Sequence, residues 1–317
     1  MMRKSLESLK ITLPRGPEDG WRTRFAPSPT GFLHLGHIAS ALWVWLCGRK
    51  IGAQIDLRIE DHDLGRCRPQ FEQAILEDLS WLGLMPDRGL LRSGQLDPDF
   101  RQSSHRQRYD SRMDELRQRQ LIFACDCSRK QIAAMQLSQE SELHYPGTCR
   151  NRGVEFSRQV GIRFRLETEE VAFQDGVLGK EIRQNPNRQC GDLLLQERSG
   201  SLTYQYCVVV DDLNDGINLI VRGSDLLEST GRQIMLARAL GRITQPHFAH
   251  HPLLTNADGQ KLSKRDRAES IGAMRSNGVT KEMLFGQVAF LLGLQEESIP
   301  RALDEFTVDV SEVNTSS

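Results

Sequence analysis

The stretch Arg24-Phe25-Ala26-Pro27-Ser28-Pro29-Thr30-Gly31-Phe32-Leu33-His34-Leu35-Gly36-His37 constrains the fold of this chain more than any other. Pro27 and Pro29 fix φ and remove backbone donors, so the segment is a rigid loop and neither helix nor central strand. Gly31 permits the turn after them. From Leu35 to Arg49 the pattern is apolar and rich in Ala and Leu, which predicts a helix beginning near Leu35. Helix N-termini carry unpaired N–H groups and the positive end of the dipole, so this junction is a natural seat for an anion. His34 and His37 stand where imidazoles can hydrogen-bond phosphate oxygens, and Gly36 lets a phosphate come close. Taken alone, the same residues also describe a helix cap with two surface histidines.

A second stretch far downstream separates these readings. Asn256 to Gln260 reads as a turn, and Lys261-Leu262-Ser263-Lys264-Arg265 as a basic loop beyond it. Two lysines three apart can place two ammonium groups on a leaving pyrophosphate, with no nucleophile required from the protein. Together the two stretches resemble the ATP site of the class I aminoacyl-tRNA synthetases. The wording RFAPSPTG, with Arg58-Ile59-Glu60-Asp61 after it, resembles their glutamyl branch. Where that family reads Lys-Met-Ser-Lys-Ser, Leu262 replaces Met and Arg265 replaces the final Ser. The resemblance implies a Rossmann-type α/β fold with a doubly wound parallel sheet, and ATP as a substrate accompanied by Mg2+. It implies ATP contacts from His34, Gly36, His37, Lys261, Ser263 and Lys264, with His34, His37, Lys261 and Lys264 as catalytic groups.

An acidic α-amino acid needs a cation for each carboxylate and an anion for its ammonium. Arg24 suits a bidentate fork, Ser28 offers a hydroxyl, and Glu60 at the end of an expected strand can hold the ammonium. Tyr204 to Asp212 reads as a buried strand reaching a loop, and Ile220 to Asp225 repeats that geometry. Ligands of open α/β sheets sit at the carboxyl ends of strands, where Glu60, Asp211 and Arg222 fall. By the resemblance, Arg24, Ser28, Glu60, Tyr204 and Arg222 line a glutamate pocket. Singly, each has a plainer reading: Tyr204 in a core, Arg222 paired with Asp225 or Glu228.

Cys125, Cys127 and Cys149 supply clustered thiols, with His144 and Tyr145 just before the last. Structural zinc takes four N, S or O ligands in a tetrahedron. Similar glutamyl-type proteins carry Cys-x-Cys and then Tyr-x-x-x-Cys around one zinc, which implies Cys125, Cys127, Tyr145 and Cys149 here. His144 is the chemically stronger alternative to the phenol, and the gap before Tyr145 is longer than the family pattern.

The chain has 317 residues and seven cysteines, an odd number that argues against a secreted disulfide framework and suits a reducing cytoplasm. No apolar run reaches membrane-spanning length, and Met1 to Gly20 lacks the apolar core of a secretory signal. The net charge of −1 confines any phosphate-binding surface to local patches. The candidates are Arg101 to Arg119, which taken alone reads rather as a solvated helix face, and Arg150, Arg152, Arg158, Arg163 and Arg165. The organisation expected is an N-terminal extension (1–20) and the first half of the sheet domain (21–91). An inserted, zinc-bearing, tRNA-contacting part (92–201) comes next, then the second half with the basic loop (202–265) and a short helical end (266–317).

The segment after Arg265 is too short for the large helical part with which glutamyl-tRNA synthetases read the anticodon. The resemblance therefore implies a short paralogue, a monomer that activates glutamate with ATP and transfers it to the queuosine base at the wobble position of tRNA(Asp). A shortened synthetase charging the 3′ end of tRNA(Glu) shares every pocket residue. A nucleotidyltransferase of the His-x-Gly-His type leaves Arg24, Glu60 and Arg222 without a purpose. A non-catalytic tRNA- or zinc-binding module has no need of Lys264 or both histidines.

Overall fold

A computed structural model describes residues 8–136, 142–157, 159–254 and 269–312. In chain order it begins with strands β1 (Leu9–Leu13) and β2 (Arg22–Phe25), helix α1 (Leu35–Lys50), β3 (Gln54–Leu57) and α2 (Pro69–Leu82). The long central part holds α3 (Arg106–Gln118), β4 (Ile122–Cys125), α4 (Arg129–Ala134), β5 (Gly161–Phe164), β6 (Val171–Asp175), β7 (Lys180–Gln184), α5 (Pro186–Cys190) and β8 (Leu193–Gln196). Then come α6 (Tyr204–Asn214), β9 (Leu219–Gly223), α7 (Thr230–Ala239), β10 (His247–His251), α8 (Ile271–Ser276), α9 (Lys281–Leu291) and β11 (Val308–Glu312).

The sheet is parallel at its centre. β2 pairs with β3 and β9 with β10 in parallel register. Asn218 joins the two halves, its backbone N–H donating to Arg22 O at 3.1 Å and its side chain accepting from Arg22 N at 2.7 Å. On the far side β10 meets β6 in parallel, and β6 pairs with β7 antiparallel. The parallel strands are buried along most of their length: Ile55, Leu57, Leu219 and Val221 pack in the core, and the polar Thr23, Arg24, Asp56, Arg222, His250 and His251 between such residues are buried too. α1 lies across them and buries Trp43, Trp45 and Cys47 in the same core. Three antiparallel strands, β4, β5 and β8, form a separate small sheet within the insertion.

One reading of the sequence is corrected, and the two ends of the chain acquire structure that the sequence did not suggest. Tyr204 to Asp212 is not a strand but the greater part of α6, with Thr203 at its N-cap. The β-branched run Val208-Val209-Val210 suggests a strand by composition, yet burial from Tyr206 through Asp212 lets a helix packed on all sides carry it. The N-terminal extension carries a strand, Leu9–Leu13. The polar end from Val308 also forms a strand, and the two pair in parallel, Leu9 opposite Val308 and Ile11 opposite Val310. α3 agrees with the solvated-face reading of its arginines: it buries Tyr109, Met113 and Leu116 while Arg106 and Arg112 pair with Asp110 and Glu115 along its outer side.

Candidate active site

His34 occupies the N-cap of α1 with extended backbone (φ −138°). Its Nδ1 accepts from Gly36 N at 3.2 Å, and His37 Nδ1 accepts from His34 N at 3.1 Å, a reciprocal capping box built from two imidazoles. An Nδ1 that accepts a backbone N–H carries no proton, so each neutral ring holds its proton on the outer nitrogen, Nε2. The rings lie 3.9 Å apart, centroid to centroid. A Cβ on residue 36 would stand 3.0 Å from His34 Cε1, which explains the glycine. The histidines thus cap the helix and also line the space at its N-terminal end.

A cavity of about 500 Å³ opens beside this cap. His34, Gly36 and His37 line it together with Arg24, Glu60, Tyr204 and Arg222. Of the sequence-derived amino-acid site, Ser28 alone stands apart, exposed and not among the cavity residues. Lys261, Ser263 and Lys264 lie outside the described residues. Asp211 is buried deeper, accepting from the Tyr109 hydroxyl at 2.8 Å and from Gln102 at 2.8 Å.

Behind the cavity wall is a buried ion network. Arg24 Nε donates to Asp212 at 3.0 Å, and Arg58 bridges Asp212 (2.8 Å), Glu60 (3.1 Å) and Asp215 (3.2 Å). Burial works against the Asp212 carboxylate, but Arg24 and Arg58 outweigh it and hold its pKa down at about 2. Glu60 goes the other way: burial pushes it above the ordinary carboxylate range, although Arg58 and Arg24 pull against the shift. Arg222 is likewise less basic than usual because it is buried. Tyr204 is pushed up to about 12, chiefly by burial and then by the Glu60 carboxylate. The cavity wall therefore holds an acid and a base whose charged forms burial both disfavours. A ligand with an ammonium and carboxylates supplies a countercharge to each.

Several groups that shape this wall were not expected from the sequence. His251 lines the cavity and contacts Ser40 Oγ through Nε2 at 3.0 Å, while its Nδ1 donates to Pro252 O at 2.9 Å. Arg58 and Asp212 lie within recognisable segments yet carry no expected role, and His250 falls outside every motif. Their only signal is charge placed inside apolar strand or helix sequence, the pattern of a buried polar network.

The cysteine cluster sits in the insertion. Cys125, Cys127 and Cys149 bring their sulfurs within 4.8 Å of one another. The Tyr145 hydroxyl lies 3.5 Å from Cys125 Sγ and accepts from Cys149 N at 2.7 Å. His144 faces Asn187 O through Nε2 at 3.2 Å, turned to a carbonyl that fixes it there. Three thiols brought this close are donors of the kind that hold a zinc-type ion. A second cavity of about 860 Å³ separates this cluster from the start of α6; Arg129, Arg163, Arg198 and Arg232 are among its walls. The start of that helix lies between the two cavities, since Thr203 and Gln205 line the larger and Tyr204 the smaller. Of the other arginines considered for nucleic acid, Arg150 pairs with Glu167 and Asp192, Arg152 pairs with Asp126, and Arg165 lies over Phe123. Arg158 lies outside the described residues. Among the described residues, no helix is long and apolar enough to cross a membrane.

Comparison with known proteins agrees with this geometry. The profile of the class I tRNA synthetases (E and Q), catalytic domain, matches residues 21–316. The chain is 39% identical over 289 residues to a glutamyl-Q tRNA(Asp) synthetase of Symbiobacterium thermophilum, covering 87% of this chain and 88% of that one. It is 36% identical over 303 residues to glutamate–tRNA ligase 1 of Alkalilimnicola ehrlichii, covering 93% of this chain but 62% of that protein. Among solved structures, a glutamate tRNA ligase from Elizabethkingia meningosepticum, in complex with its amino acid, superposes with a TM-score of 0.71 at 24% identity, covering 92% of this chain and 66% of that one. That likeness shows the fold: a class I synthetase α/β domain of Rossmann type.

Proposed function

The chain belongs to the class I tRNA synthetases of the E and Q type and is an ATP-dependent ligase, and from that premise we propose that it activates glutamate and transfers it to queuosine in tRNA(Asp). The observation that carries the amino-acid assignment is one cavity holding Arg24, Glu60, Tyr204 and Arg222 beside the His34–His37 cap. Glu60 takes the ammonium, and Arg24 and Arg222 take the carboxylates. Ser28 reaches the ligand only if its loop moves inward.

ATP lies with its phosphates against the N-terminus of α1, where the outer nitrogens of His34 and His37 donate to phosphate oxygens. Gly36 gives room for them. Glutamate's α-carboxylate attacks the α-phosphorus, an O–P bond forms, and the bond to pyrophosphate breaks. Lys261 and Lys264, with Ser263, neutralise the departing charge, and Mg2+ accompanies the nucleotide. A hydroxyl of the modified base then attacks the carbonyl of the mixed anhydride. An ester bond forms, AMP leaves, and the proton passes to solvent. The adenylate is already reactive, so positioning supplies much of the rate. Zinc, when bound by Cys125, Cys127, Tyr145 and Cys149, supplies a cross-link and no chemistry. The arginine-walled cavity beyond Tyr204 supports an acceptor nucleotide entering from that side. A monomer in a reducing cytoplasm completes the reading.

The acceptor is supported by the likeness to the glutamyl-Q relative over most of its length. The shared identity with glutamate–tRNA ligase 1 favours a second reading, charging of tRNA(Glu). Transfer of labelled glutamate to queuosine-bearing tRNA(Asp), the same tRNA with guanosine at that position, and tRNA(Glu) tests both. Label on the first alone is expected. Label on tRNA(Glu) alone replaces the proposal with the second reading, and label on none removes both.

A further inference from the structure

Arg222 is held from behind by a buried chain that begins in the insertion. Its Nε donates to His250 Nε2 at 3.0 Å, one Nη to Gln233 Oε1 at 2.6 Å and the other to the Thr230 hydroxyl at 2.8 Å. His250, on β10, is fully buried and does not line the cavity. Its Nδ1 lies 2.5 Å from Asp175 Oδ2, at the end of β6. Asp175 in turn is fixed by backbone amides: Val177 N and Leu178 N donate to Oδ1 at 3.1 and 2.9 Å, and His250 N donates to Oδ2 at 3.2 Å.

His250 Nε2 faces Arg222 Nε at 3.0 Å and the Thr230 hydroxyl, which can donate to it, at 3.1 Å, so it is the arginine that selects the state of the imidazole. An arginine N–H cannot accept, so the nitrogen facing it must be bare, and the remaining proton must sit on Nδ1. Asp175 accepts that proton's hydrogen bond. Protonating His250 would set Nε2–H against a guanidinium donor and a second positive charge against Arg222. Burial and the neighbouring cation keep the ring neutral in spite of the carboxylate.

We propose that Asp175 and His250 are positioning residues for the amino-acid substrate: Asp175 fixes the Nδ1–H tautomer of His250, which orients the Arg222 fork toward a carboxylate in the cavity. Neither touches the substrate. The inference rests on the assignment of Arg222 to a glutamate carboxylate. It makes the insertion, through β6, part of the glutamate pocket, although Asp175 belongs to neither half of the sheet domain expected from the sequence.

The test uses the full chain and glutamate-dependent ATP–pyrophosphate exchange. His250→Leu removes the acceptor, and loss of one buried charge-assisted bond is expected to raise KM for glutamate about tenfold or more. KM for ATP should stay unchanged. His250→Gln can present its side-chain oxygen near the Nε2 position and should restore most of the glutamate affinity. Asp175→Asn, nearly isosteric, must face a donor either toward the turn amides or toward His250, and should resemble His250→Leu. A general loss of packing would move both KM values and would not be rescued by Gln. Should the variants fold poorly, the 15N-histidine spectrum of the wild type decides the point: His250 is expected as neutral Nδ1–H at pH 7. An Nε2–H tautomer, an imidazolium, or an unchanged glutamate KM in a folded His250→Leu overturns the proposal. Wild type that never exchanges with glutamate overturns the functional reading instead, while the tautomer measurement still decides the orientation of Arg222.

Discussion

At the scale of single residues, the His34–His37 pair shows one side chain doing two jobs with two nitrogens. The inner nitrogens cap α1, which leaves the outer ones as donors. Gly36 is what allows it, and Gly36→Ala separates the two jobs. The added methyl would press on the His34 ring at 3.0–3.2 Å and turn it off its cap. Losing the cap costs about 1 kcal/mol, but Ala in place of Gly inside a helix returns roughly the same amount. The thermal midpoint should therefore hardly move. Glutamate-dependent exchange should fall by something on the order of 100-fold, since small misplacements of catalytic donors cost that much. Equal exchange rates in the two proteins would remove His34 from the ATP site. Arg24, Glu60 and Arg222 are singled out in the sequence by resemblance to the glutamyl branch, and the structure brings them to one cavity. Asp212 and His250 are not singled out, because their partners are other side chains brought from distant elements. Nothing local in the run Cys207-Val208-Val209-Val210-Asp211-Asp212 marks the last carboxylate as the counterion of Arg24, far earlier in the chain.

At the scale of elements, local pattern and tertiary packing disagree where the pattern is short. α1 is legible from its apolar, Ala- and Leu-rich run and from the proline-bearing loop that precedes it. α6 is not, because a run of three valines carries a strand-like composition while the surrounding core accepts a helix. The cysteine cluster lies between these cases. Its spacing marks the donors, but only the fold turns His144 away and brings the Tyr145 hydroxyl to Cys125. The purified chain is expected to carry about one zinc by the four-ligand argument. Cys149→Ser should lower that content in elemental analysis and destabilise the β4–α4 corner. Wild type purified without chelator and free of metal would end the zinc assignment.

At the scale of the whole molecule, β1 and β11 close on the turn that carries Asp175. The two strands pair in parallel, and Thr12 N donates to Gly176 O at 2.7 Å while Gly176 N donates to Phe248 O at 2.7 Å. The turn is thus clamped between the N-terminal strand and β10. No local signal announces such a contact, since parallel pairing across nearly the whole sequence leaves no turn or hairpin to read. A Cβ at residue 176 would stand 2.7 Å from Thr12 O, a backbone atom that cannot rotate aside. Gly176→Ala must then push β1 outward or the turn inward. Overpacking of this kind costs about 1–3 kcal/mol, so the thermal midpoint should fall. If the turn moves, Asp175 moves with it, and KM for glutamate should rise while KM for ATP holds. A lower midpoint with both KM values unchanged would mean that β1 yields and the turn does not, making the N-terminal strand a cover for the core and not a support for the pocket.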